Sequence, residues 1–180
     1  TNVSGLAIGF ACCTLIALYV MDELSYDLYH SKANQIYRVL HYYDNSKDTT
    51  QFSKDPKDYQ VWGNAPVGPA MQADFPEVEK VVRFSGRINT LIRRGDKVFN
   101  EENIFLVDST VFDVFGWEFA TGSPEKALES PNSIVITEST ARKYFGDENA
   151  IGETLTVDAA AGRINDTGRY MVTGVLKDIP

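Results

Sequence analysis

The chain has 180 residues, 43% of them apolar, enough for one compact domain with its own core. Those values exclude a disordered or collagen-like polymer. A formal net charge of −8 and a pI near 4.7 leave no whole-chain basic field, so no nucleic-acid partner is expected.

The charge is unevenly placed. No Asp, Glu, Lys, Arg or His occurs between Thr1 and Met21, and all 17 Lys and Arg stand at or beyond Lys32. The uncharged run from Val3 to Met21, VSGLAIGFACCTLIALYVM, spans roughly 28 Å as a helix, the thickness of a bilayer's hydrocarbon core. Membrane lipid is therefore expected around residues 3–21. Small residues at Gly5, Ala7, Gly9, Ala11 and Cys12 allow close approach of a neighbouring helix. A buried helix of a soluble protein seldom runs so far without a charge. A signal peptide would be shorter, with a small-residue cleavage site after it, and no A-x-A follows.

Cys12 and Cys13 both lie inside this run, where adjacent cysteines rarely join because the ring is strained. Cysteine usage therefore leaves the compartment open. Beyond the run, Asp22, Glu23 and Asp27 precede the first Lys. Cytoplasmic flanks are normally rich in Lys and Arg, so the remainder is expected outside the cytoplasm.

Near-helical spacing of Leu24, Leu28, Ala33 and Ile36 predicts that the helix continues as a stalk, unbroken to near Ala33. Ile36–Tyr43 has the β-branched and aromatic content of a strand, and Asp44–Asp58 reads as a loop. A helix is expected from Pro66 to about Phe75, with Pro76 beyond its end. Val78–Phe84, Asn89–Arg93, Lys97–Phe99 and Asn103–Val107 read as strands. Asp108 or Ser109 is placed to cap a short helix to Phe115, and Ser123-Pro124 opens another.

Ser133–Thr137 is a short apolar strand feeding the helix ESTARKYF, closed by Gly146. Thr154–Val157 and Tyr170–Leu176 read as a hairpin across a polar turn. The order β-α-β-β-β-α-α-β-α-β-β predicts an α+β fold, helices packed on antiparallel or mixed sheets. Residues 1–31 are assigned to a membrane and stalk helix and 32–180 to the outer domain, with chain expected at both ends.

Catalytic and metal chemistry have no evident seat. His30 and His41 have no partner set around them. Neither a phosphate loop, a nucleophile elbow nor a zinc motif occurs. The adjacent carboxylates Glu101–Glu102 and Asp147–Glu148 are expected in polar turns, where neighbours are solvated and diverge. No catalytic residue, cofactor site or metal site is assigned. Arg83, Arg87, Arg93 and Arg94 form the one basic cluster, either a solvated strand pair or a seat for an anionic headgroup or acidic partner. Asn165-Asp-Thr167 fits a glycosylation sequon and reads better as a turn.

Three stretches together carry a resemblance: GLAIGFACCTLIALYVMDELSYDLYHSKANQIYRV, SIVITESTARKYFGDENAIGETLTV and VTGVLKDIP. They resemble the MacB/FtsX-like ABC transporter permeases of the Bacteroidetes type, with Asp44–Arg94 departing as a variable region. The resemblance implies a membrane helix before a MacB-like periplasmic core with porter-type βαβ units, and further membrane helices downstream. It implies a cytoplasmic ABC ATPase subunit as partner, a permease homodimer or heterodimer, and a periplasmic adaptor or cargo. It further implies an inner-membrane location and mechanotransmission, in which ATP-driven motion is passed to the outer domain to export or extract a substrate. A ligand-sensing receptor domain and a membrane-anchored enzyme are the alternatives. The empty motif search disfavours the enzyme, and downstream sequence would separate the other two.

Overall fold

The computed structural model describes residues 2–25, 30, 32–42, 56–86, 88–159 and 167–179. The chain divides into two compact units, Thr1–Ile36 and Tyr37–Pro180, each described by itself.

In the first unit α1 runs from Asn2 to Ser25, and its apolar residues, among them Leu6, Phe10, Leu15 and Tyr19, are exposed. An all-round apolar surface left uncovered suits lipid rather than water. Residues Asn2–Leu24 are long and apolar enough to cross a membrane. Gly5 and Gly9 stand one turn apart at strict G-x-x-x-G spacing, and a Cβ added at either would meet nothing within 4 Å. The unbroken helix expected to Ala33 is not found. His30 lies in a bend and Ala33–Gln35 form a 3-10 turn opened by Lys32 at φ −109°, ψ 21°. The sequence between Ser25 and Asn34 is rich in weak helix formers: Ser, Asp and Asn favour local backbone bonding outside a helix, and Tyr loses side-chain freedom within one. Tyr26–Tyr29 fall outside the described residues.

The second unit is α+β. Its elements are β1 (His41–Tyr42), β2 (Tyr59–Gln60), α2 (Val67–Asp74), β3 (Ile88–Arg94), β4 (Lys97–Ile104), α3 (Val111–Val114), β5 (Phe119–Thr121), α4 (Pro124–Ala127), β6 (Ser133–Thr137), α5 (Glu138–Phe145), β7 (Thr154–Val157) and β8 (Gly168–Leu176). β1 and β2 make a separate antiparallel ribbon. The main sheet runs β4-β3-β7-β8-β5, with β6 added parallel to β8. β8 joins the layers, pairing β7 through Gly168–Met171 and β6 through Met171–Leu176.

Alternation decides which face is covered. In β3, Ile88, Thr90 and Ile92 are buried while Asn89, Leu91 and Arg93 face out. Ile88 and Ile92, with Leu155, Val157, Val172 and Val175, form a core together with Tyr144 and Phe145 of α5. Thr137 Oγ1 caps α5 by accepting from the Thr140 amide at 3.4 Å, and Gly146 closes the helix at φ 65°, where a side chain would be strained.

Three expectations fail in this unit, and one strand is new. Ile36–Tyr43 shrinks to the two residues of β1, with Tyr43 outside the described residues. Val78–Phe84 has no strand beyond a single Phe84–Val107 bridge. Its backbone is bonded by side chains instead: Thr110 Oγ1 donates to the Val81 carbonyl and Gln72 Nε2 to that of Glu79. Lys97–Phe99 and the start of Asn103–Val107 become one strand ending at Ile104, because Asn100 and Glu101 pair with Leu91 and Thr90 of β3 and the ladder resumes, past a bulge, at Ile104 opposite Ile88. β5, unexpected from the sequence, pairs β8 far along the chain. Arg87, Asn165 and Asp166 of the sequon and most of the polar turn of residues 159–168 lie outside the described residues, as does most of the Asp44–Asp58 loop.

Candidate functional site

Polar chemistry in the second unit is organised as ion pairs that fasten elements together. Arg94, at the end of β3, places Nη2 on Glu148 at 2.7 Å and Nη1 on the Tyr144 carbonyl at 3.2 Å. Its guanidinium lies 4.2 Å from the Phe145 ring centroid. Lys97, across the tight turn into β4, donates to the same Tyr144 carbonyl at 2.8 Å. Two cations thus bind the unsatisfied carbonyl end of α5, where charge and hydrogen bonding both favour them.

Arg93 points to the opposite face and bonds Asp158 through Nη2 at 2.7 Å. Arg83 holds Asp108 through its backbone N–H at 3.0 Å, Nε at 2.7 Å and Nη2 at 2.8 Å. Hydrogen bonding to these arginines is the main reason that Asp108 and Asp158 sit below the ordinary carboxylate range. The three described arginines of the basic cluster therefore serve separate acids, Arg83 holding Asp108, Arg93 holding Asp158, and Arg94 holding Glu148 with Glu153 at 3.5 Å. Adjacent positions on a strand face opposite ways, so proximity in sequence does not make a shared anion seat. Arg87 lies outside the described residues.

The carboxylate pairs are likewise split. Glu101 accepts from Tyr144 Oη at 2.7 Å and from Lys143 Nζ at 2.6 Å, while Glu102 is exposed. Burial first, then the bond to Glu101, raises the Tyr144 pKa above its usual value, so this tyrosine stays a neutral donor. Glu148 belongs to Arg94. His30 is buried in the first unit and His41 sits in β1 of the second. Among the described residues no group of three or more His, Cys, Asp or Glu could hold a metal. Open clefts of about 270 Å³, beside Pro69, Gln72 and Thr110, and about 170 Å³, beside Thr121 and Arg142, are smaller than ordinary ligand pockets of ~300–1,000 Å³.

A second apolar assembly lies outside the main core. Phe84 meets Phe105 and Phe115 edge to face at 6.0 and 5.7 Å, and Phe115 stacks on Trp117 at 5.0 Å. Phe112 packs on Phe119 at 4.9 Å. Phe84 and Phe105 remain 40% and 44% exposed, well above core values. The aromatic content of residues 105–119 was visible in the sequence; their union with Phe84 was not. The G-x-x-x-G of Gly5 and Gly9 could have been found from spacing alone.

Comparison with known proteins places the chain. Residues 1–180 match the family described as MacB-like periplasmic core domain. A domain from Porphyromonas gingivalis, described as belonging to a permease protein, is similar at 28% identity and a TM-score of 0.48, covering 63% of this chain and 50% of that one. The periplasmic region of MacB from Actinobacillus actinomycetemcomitans matches at 24% identity and TM-score 0.41, covering 55% and 44%. The extracellular domain of the noncanonic ABC-type transporter YknZ from Gram-positive bacteria matches at 22% and 0.41, covering 55% and 50%. The chain thus spans about half the length of each solved structure. No curated protein matches it. The match across the whole of residues 1–180 means that the chain belongs to the family of MacB-like periplasmic core domains.

Proposed function

We propose that this chain is the anchor and extracytoplasmic domain of an ABC transporter permease subunit in the bacterial inner membrane. In this reading residues 1–31 form the anchor and 32–180 the outer domain. The observation that carries it is the union, within one family match, of a membrane-length helix and a periplasmic core domain. ATP is hydrolysed by a separate cytoplasmic ABC ATPase subunit bound to a permease homodimer or heterodimer. Its motion passes through α1 to the outer domain, which exports or extracts a substrate with a periplasmic adaptor or by acting on the cargo. The chain itself supplies no catalytic group, cofactor or metal. The ion pairs support this reading as fasteners: a domain that is displaced as a body needs its elements tied together, and these ties join elements distant in sequence.

The reading is tested by inserting Gly-Gly-Ser between Glu23 and Leu24 in the complete permease, assembled with its ATPase. The flexible insert breaks helical continuity and absorbs displacement. The expected result is a folded, membrane-inserted, ATPase-associated transporter that no longer moves substrate, while His41→Ala and Asp147→Ala move it nearly normally. Normal transport by the insertion variant, with loss in either alanine variant, would mean a chemical site and sink the mechanical reading.

A further inference from the structure

We propose that Arg83 is a positioning residue, a pin that couples the segment of residues 65–84, including α2, to the main sheet. Apart from Phe84 at its end, which packs on Phe105 and Phe115, this segment has little of the kind that usually holds a chain down. α2 contains no buried residue, and Val78–Phe84 joins a strand only at the Phe84–Val107 bridge. Arg83 spans the gap. Three donors go to Asp108, in the stretch leading from β4 to α3, and Nη1 reaches the Ala65 carbonyl ahead of α2 at 3.0 Å.

The chemistry needs arginine. A guanidinium has five donors in a rigid planar fork, so one side chain can hold a carboxylate with two of them and still serve a carbonyl elsewhere. A lysine carries its three donors on one nitrogen and cannot spread them over acceptors that here meet three separate nitrogens. The neighbouring bonds run the same way: Thr110 to the Val81 carbonyl, and Lys80 to Asp113 at 3.0 Å. Each of these joins residues 80–83 to residues 108–113, and neither reaches back past α2. Arg83 does, so displacement of α2 against the sheet has to break its bonds. The pin rests on the mechanical reading for its use, but its geometry is independent of it.

The test uses the membrane-inserted chain with Cys12 and Cys13 replaced by serine. Spin labels are placed at Ala73 on α2 and Glu125 on α4, with a control pair at Asn100 on β4 and Glu125. In Arg83→Gln and Arg83→Lys the Ala73–Glu125 distance distribution should broaden while the control pair stays narrow. Amide exchange over residues 67–74 should rise about tenfold, the scale of one lost charge-assisted bond, with β3 and β8 unchanged. An unchanged Ala73–Glu125 distribution would overturn the proposal, and so would broadening of both pairs, which would make Arg83 an ordinary stabilising residue. Broadening of the first pair with transport intact would leave the pin standing as a structural coupling and remove its part in transport, whereas the mechanical reading itself stands or falls on the insertion in α1.

Discussion

Tyr144 Oη donates a 2.7 Å hydrogen bond to Glu101, so a single bond ties a helix residue to a strand residue far apart in the chain. The tyrosine is fully buried and its ring meets Phe99 edge to face at 5.3 Å. Removing only the hydroxyl, in Tyr144→Phe, keeps the ring and costs about 1–2 kcal/mol. Tyr144→Ala leaves a cavity and costs about 3–5 kcal/mol. Urea denaturation of the detergent-solubilised chain, followed by fluorescence, checks the order; equal losses would mean the ring contributes nothing beyond its hydroxyl. Glu101→Ala is accordingly expected to cost stability, in contrast with a solvated surface carboxylate.

Gly122 has φ 96°, and a Cβ there would lie 2.9 Å from the Thr173 carbonyl oxygen. Gly122→Ala is strained in backbone and short of space at once, and should destabilise by more than ~1 kcal/mol. A melting temperature equal to that of the parent chain would show that the turn between β5 and α4 relaxes freely.

The Arg83–Asp108 pair makes stability depend on pH. Asp108 is held below the ordinary carboxylate pKa by its bond to Arg83. Its unfolded-state value is about 3.9, so the pair's contribution is fully present above that value. It is lost as pH falls through the lower, folded-state pKa. Asp158 and Glu118 are shifted the same way by Arg93 and Lys177. Thermal denaturation between about pH 6 and pH 2 should show falling stability, and Asp108→Asn should remove part of the slope. An identical slope in the variant would mean that Asp108 is not protonated in that window.

Much of this was legible because it is local. Helix α5 was bounded correctly by Thr137 and Gly146, since a cap and a stop are set by adjacent residues. The hairpin of β7 and β8 followed from two apolar runs on either side of one turn. The failures are non-local. Val78–Phe84 has strand-forming residues, yet the groups that bond its backbone, Thr110 and Asp108, lie well downstream. β5 is three residues long and is specified by β8. The arginine cluster dissolved because its acids, Asp108, Asp158, and Glu148 with Glu153, come from different places in the chain. Nothing in the spacing of the arginines foretold those acids.

The central claim, that α1 crosses the membrane and delivers the domain of Tyr37–Pro180 to the outer side, has a direct measurement. Cys12 and Cys13 are replaced by serine, a single cysteine is introduced at Asn100, exposed on β4, and spheroplasts expressing the complete protein are treated with a membrane-impermeant maleimide. The account predicts full labelling of intact spheroplasts, with no increase after the membrane is permeabilised. Labelling that occurs only after permeabilisation would place the domain in the cytoplasm and contradict it.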